Sequence, residues 1–169
     1  KLDSAGTKLW TRCYGGSTLE IAYDIIPDGS GGFVLAGETQ SNDGDVSGIH
    51  VGGIPNFPSR DFWIVNIDGT GNIIWEKCFG GTNEESAKSI YKTSDNGYII
   101  TGTTNSVDGD VTGYHTGNNY EDVWLIKIDS TGFLQWQHCY GGSSMDRGKS
   151  VMQAPDGGYL ICGDTFSND

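Results

Sequence analysis

The chain has 169 residues, of which 27 are Gly and 11% aromatic, and it carries a net charge of −12. That is length enough for one ordinary domain with a proper core, and glycines together with aromatics describe an ordered, turn-rich protein, not a disordered one. The negative charge argues against a nucleic-acid partner, whose phosphates would go unneutralised, and no apolar run is long enough to cross a bilayer as a helix.

Read from the start, the opening KLDSAG (1–6) shows no signal-peptide pattern and looks like the middle of a unit. WTRCYGG (10–16) follows, and it returns as WEKCFGG (75–81) and WQHCYGG (136–142), at intervals of 65 and then 61 residues. The same offsets carry GGFVLAGET (31–39) onto NGYIITGTT (96–104) and GGYLICGDT (157–165). SNDGDVSGIH (41–50) becomes SVDGDVTGYH (106–115), and SND begins once more at 167–169. DFWIVNID (61–68) becomes DVWLIKID (122–129), while LDSAG (2–6) becomes IDGTG (67–71) and IDSTG (128–132). The four-residue difference between copies lies where the first carries IPNFPSR, and a length change confined to one segment marks a surface loop. The chain therefore divides into a partial first repeat at 1–60, a second at 61–121 and a truncated third at 122–169.

Within a unit, short apolar runs end at turn residues. In the second copy they fall at 62–68, 73–79, 86–93 and 98–104, separated by DGTG, GGTNEE and SDNG. Gly beside Asp or Asn is the composition that tight turns require. Trp63, Val65 and Ile67 alternate onto one face while Phe62 and Ile64 take the other, so this strand is predicted to lie between two layers. No segment sustains a helical period. The fold class predicted is all-β, with four-stranded antiparallel units of β-propeller type, the alternative being an open stack of sheets. Three units are too few for a closed ring, so the expectation is one continuous segment of a larger propeller with further blades of the same chain.

KLDSAG, W-x-x-CYGGS, the acidic position Glu20/Glu85/Asp146, DGGY (156–159), SNDGDVSGIHVGG and DFWIVNID occur in this order along the chain. The unit they compose resembles, over nearly its whole length, a tandem repeat of secreted bacterial β-propeller proteins. Many of those are similar to large multidomain products exported by type IX secretion. The resemblance implies a secreted or cell-surface location and supplies no substrate, because propellers host many activities.

The repeated loop carries the residues closest to chemistry. Asp43, Asp45, His50 and Asp61 recur as Asp108, Asp110, His115 and Asp122. Carboxylates two apart around a glycine can close on a hard cation, and calcium is the cofactor to consider in an extracellular setting. The loop lacks the remaining ligands of an EF-hand, and histidine is a poor calcium ligand. The reading preferred from the residues is therefore that Asp43 and Asp108 cap backbone amides of their own loops. His50 and His115 are then expected to pin each loop to its strand.

Cys13, Cys78 and Cys139 stand at equivalent positions, too far apart for disulfides, and are expected to be reduced and little exposed; Cys139 with Cys162 is a remote alternative. The tryptophans are expected in the core between units and not on a sugar platform. Gly37, Gly102 and Gly163 fall in mid-strand, where a bulge or a close neighbour is the usual reason. Asp-Ser at 3–4 and 129–130 fits both an O-glycosylation acceptor and an ordinary tight turn. No nucleophile elbow or unique carboxylate pair emerges, and each conspicuous residue recurs in the next copy. An active site is normally singular, so the function expected is non-catalytic: an adhesion or recognition module for a protein or glycan at the cell surface. The alternatives are an accessory part of a secreted polysaccharide-processing enzyme, or a structural spacer.

Overall fold

A computed structural model describes residues 1–52, 59–115 and 120–168, and every regular element among them is a strand. The first sheet contains Glu20–Pro27 (β1), Phe33–Thr39 (β2), Asp61–Ile67 (β3) and Ile73–Phe79 (β4). The second contains Glu85–Lys92 (β5), Tyr98–Thr104 (β6), Asp122–Ile128 (β7) and Leu134–Tyr140 (β8). Asp146–Gln153 (β9) and Tyr159–Thr165 (β10) form a two-stranded third. All ladders are antiparallel between strands adjacent in sequence, and no sheet closes on itself. Most of the first copy's inserted segment, together with 116–119 and Asp169, lies outside the described residues.

Sequence chemistry accounts for the turns. Asp28, Asp68 and Asp129 each accept amide hydrogens from residues two and four positions on, which closes the hairpin around a glycine with positive φ. Asp3 does the same for Ala5 and Thr7. The Asp-Ser and Asp-Gly pairs singled out in the sequence thus have a turn-forming role.

The apolar alternation decides how the sheets stack. Phe62 and Ile64 of β3 pack with Trp124 and Ile126 of β7, joining the first two sheets, and the rings of Phe62 and Trp124 lie 4.6 Å apart. The opposite face of β3, Trp63, Val65 and Ile67, is covered by Trp10 and Tyr14 of the opening segment. Tyr14 Oη donates to Gly71 O (2.8 Å) and Trp10 Nε1 to Gly69 O (3.2 Å). On the far side of the second sheet, Ile99 and Leu125 pack with Val151, Trp136 and Tyr159. Between sheets, β5 lies against β1, β2 and β3, and β9 against β5, β6 and β7, so the first strand of one sheet covers a face of the sheet before it. The boundary between sheets falls at the Gly-Gly turn, so the span 61–121 takes two strands from one sheet and two from the next.

The mid-strand glycines face bulges. A methyl on Gly37, Gly102 or Gly163 would lie 1.9, 1.9 and 1.8 Å from a carbonyl oxygen of the neighbouring strand. Each sits where the register shifts, between Ala22 and Asp24, Ala87 and Ser89, and Cys162 and Gly163.

All four cysteines are free. Cys139 is buried and Cys78 half-buried, with burial pushing the Cys139 thiol up to about 12, but Cys13 and Cys162 are exposed. The expectation that Cys13 would be covered is therefore corrected. Residues 8–14 are equivalent to β4 and β8 yet join no ladder apart from the isolated bridge Leu2–Lys8, so no neighbouring strand shields the thiol.

Candidate functional site

Two places combine buried charge with polar geometry. The first is the set of repeated loops, where each Gly-Gly turn presents amide hydrogens and nearby carboxylates take them. Asp43 accepts from Ser17 N (2.8 Å) and Asp45 from Gly15 N (3.1 Å). One unit on, Asp108 accepts from Thr82 N (2.8 Å) and Thr82 Oγ1 (2.8 Å), and Asp110 from Gly80 N (3.3 Å). The amides capped are thus those of the Gly-Gly turn preceding the sheet and not, as the sequence suggested, those of the loop itself. The loop doubles back by 26 residues in both units to reach them. The hydrogen bonds from Thr82 hold the Asp108 carboxyl below its ordinary range.

A further acid completes each turn. Glu20 accepts from Gly16 N (3.1 Å), Glu85 from Gly81 N (2.8 Å) and Asp146 from Gly142 N (2.9 Å). Thr39 and Thr104 donate their hydroxyls to Glu20 and Glu85. Ser41 and Ser106 accept the amides of Thr18 and Asn83, and Ser167 takes the same place for Ser144 (3.0 Å). The closing Ser167 thus stands where the two complete loops begin, as SND implied, while Asp169 is outside the described residues.

Asp61 and Asp122 open β3 and β7 and are buried. His50 gives both its backbone N (3.0 Å) and Nδ1 (2.7 Å) to Asp61 Oδ2, and His115 does the same to Asp122 Oδ2 at 2.8 and 2.9 Å. Both histidines therefore tie the long connection to the strand it enters. His50 Nε2 lies 3.8 Å from Asp110 of the next loop, which links consecutive units. Asp61 Oδ1 has no hydrogen-bond partner. It faces Gly80 together with Glu85: a methyl there would stand 2.9 Å from Asp61 Oδ1 and 2.5 Å from Glu85 Oε2. Asp122 and Asp146 meet beside Gly141 in the same way. Burial drives Asp61 up to about 6 and Glu85 to about 7, and burial also raises Asp122. Among the described residues no three His, Cys, Asp or Glu side chains converge as a metal-binding group. The six aspartates are distributed over amides and histidines instead.

The second place is a cleft beside the first strands, and the sequence reading missed it. Tyr23, Lys88 and Lys149 occupy one repeat position on β1, β5 and β9 and line it. Four of the chain's ten Lys and Arg residues are here: Arg60, Lys88, Arg147 and Lys149. Buried Glu38 organises its first half, accepting from Arg60 (3.1 Å), Tyr23 Oη (3.3 Å) and Ser86 Oγ, with Lys88 Nζ 3.8 Å away. Lys88 Nζ also lies 3.5 Å above the centre of the Tyr23 ring, within cation–π range. In the other half Glu121 pairs with Arg147, and Lys149 lies 3.4 Å from Asp164. The signal that could have found the cleft is disagreement between copies. Arg60 becomes Glu121, Glu38 becomes Thr103 and then Asp164, and Tyr23 becomes lysine twice.

No helix among the described residues is long and apolar enough to cross a membrane, which says nothing of a β-barrel. Comparison with protein-family models and with curated proteins finds no match.

Proposed function

We propose that this chain is a segment of an extracellular β-propeller, its sheets being successive blades, and that it serves recognition of a protein or glycan without catalysis. The stacking of the sheets face to face supports the blade reading, because successive blades of a propeller pack on one another's faces. The acidic composition suits a surface that avoids nucleic acid.

One observation carries the recognition reading: the loop and turn residues repeat from unit to unit, whereas at the cleft lined by Tyr23, Lys88 and Lys149, Arg60 becomes Glu121 and Glu38 becomes Thr103 and then Asp164. Frame residues repeat because each unit meets the same neighbours. A ligand site has no reason to repeat. The paired donors and acceptors of this cleft, with a tyrosine at its rim, are groups that hold sugar hydroxyls or polar peptide groups. Glu84 (59% exposed) and Lys149 (45%) can be altered without disturbing the core.

The test is a binding screen of the purified chain against surface glycans and secreted proteins, followed by calorimetry on each binder. Glu84→Ala together with Lys149→Ala should weaken binding on the order of tenfold or more and leave the melting temperature unchanged. Binders indifferent to both changes would remove the cleft from the reading. Turnover of any glycan by the chain would remove the non-catalytic assignment.

A further inference from the structure

Between the two four-stranded sheets, at the strand ends joined by the short turns, a groove lies open where the next unit is filled by a lysine. Lys127 of β7 is 2% exposed. Its ammonium lies 2.9 Å from Asp95 and donates to Gln135 Oε1 and to the carbonyl of Ile128, each at 3.1 Å. One unit earlier, the positions of Lys127, Asp95 and Gln135 carry Asn66, Ser30 and Ile74. Lys1 stands at the same repeat position as Lys127, so asparagine is the departure. The lysine and both of its side-chain partners are thus exchanged together for shorter or uncharged groups. The groove that results has a volume of about 440 Å³ and is lined by Asn66, Ile74, Trp75, Lys92, Asn96 and Ser130, among others. That volume falls within the roughly 300–1,000 Å³ usual for small-ligand sites.

The polar groups of this groove are free for a ligand. Asn66 lies opposite Trp75 across the β3–β4 ladder and is 4% exposed, and among the described residues no hydrogen bond takes up its side-chain amide. Trp10 donates its Nε1 to Gly69 O (3.2 Å), but its counterpart Trp75 makes no such bond among the described residues. Ser130, the counterpart of Gly69, lines the groove instead. Asn96 has a φ of 66°, where the other copies have Gly31 and Gly157. A side chain in the left-handed region is kept at a cost that glycine avoids, and this one puts an amide at the rim. Lys92 Nζ is fixed nearby, 2.7 Å from Asp28 O.

We propose that this groove binds a neutral pyranose unit of a glycan. Trp75 and Ile74, the latter 57% exposed, form an apolar wall for the C–H face of a sugar ring. Two amides, an indole N–H and the Lys92 ammonium supply donors and acceptors for its hydroxyls. A cationic ligand in the image of Lys127 is disfavoured, because the acceptors Asp95 and Gln135 have become Ser30 and Ile74 and Lys92 already brings positive charge to the rim. Every residue named as lining the groove belongs to the two four-stranded sheets or their turns. The groove shares no residue with the cleft at Tyr23, Lys88 and Lys149, so either reading can fail alone.

NMR titration of the isotope-labelled chain with the methyl glycosides of glucose, galactose, mannose and N-acetylglucosamine tests it. At least one sugar should saturably shift the Trp75 indole N–H resonance, assigned by its loss in Trp75→Phe. Asn66→Ala should weaken that binding about tenfold, because a buried hydrogen-bonding group is lost. Asn66→Lys supplies the residue of the other copies and should abolish binding with no fall in melting temperature. Glu84→Ala together with Lys149→Ala should leave the binding unchanged. An indole resonance that none of the four sugars moves, binding undiminished by Asn66→Ala, or binding that survives Asn66→Lys overturns the proposal. Binding lost through Glu84→Ala with Lys149→Ala assigns the sugar to the cleft and overturns it as well.

Discussion

Raising the pH should destabilise this protein, against the usual behaviour of buried acids held by donors. Asp61 and Glu85 are both buried, face each other across Gly80, and rise from 3.8 to about 6 and from 4.5 to about 7, chiefly through desolvation. The folded state therefore keeps protons that the unfolded chain releases. The stabilisation is fully present below the unfolded values, diminishes as pH climbs through about 6 and about 7, and is lost above them. A two-unit rise corresponds to roughly 3 kcal/mol for one group, and because the carboxyls titrate as a coupled pair the loss between about pH 4 and pH 8 should be of that order. His50 acts in the same direction: burial opposes its charge, but the hydrogen bond to Asp61 outweighs it and raises the imidazole. At the acid end, Asp108 and Asp146 are depressed and lose their contribution as pH falls below 3.8, so maximum stability should lie near about pH 4. Urea midpoints measured across this range provide the assay. Glu85→Gln removes one member of the pair and should flatten the decline above about pH 5. Stability that is constant or rises towards pH 8, or a Glu85→Gln profile parallel to the parent, would refute the reasoning.

Gly102→Ala places a methyl 1.9 Å from Ser86 O and should cost about 3 kcal/mol in urea unfolding, whereas Gly158→Ala, with 3.2 Å to its nearest neighbour, should cost under about 1 kcal/mol. Thiol titration of denatured, unreduced protein should find four free thiols; in the folded protein Cys13 and Cys162 should react first, and Cys78 and Cys139, whose thiols burial raises, more slowly. Thermal melts with calcium and with a chelator should share one midpoint, because the loop aspartates are occupied by amides. A rise with calcium that Asp45→Ala together with Asp110→Ala abolishes would restore the metal reading.

Composition and periodicity alone determined the all-β class, the positions of the strands and the faces of β3, because burial of an alternating strand is written into every second residue. The Asp-Gly turns were equally legible, since an Asx turn is made within five residues. The phase of the sheets was not, because a repeat has no marked beginning and any cut of the period fits the pattern. Nor was the target of Asp43 and Asp108. A carboxylate reads in sequence as a cap on nearby amides, and only the folded chain brings the Gly-Gly turn, 26 residues earlier, closer than the loop's own backbone. Asp61 and Glu85 are separated by the whole of β4, and their approach across Gly80, with the desolvation that follows, exists only once two sheets stack. The cleft at Tyr23, Lys88 and Lys149 depends on tertiary structure for the same reason. Repetition in sequence identifies what each unit shares, but which differing residues meet is decided by the neighbouring sheet.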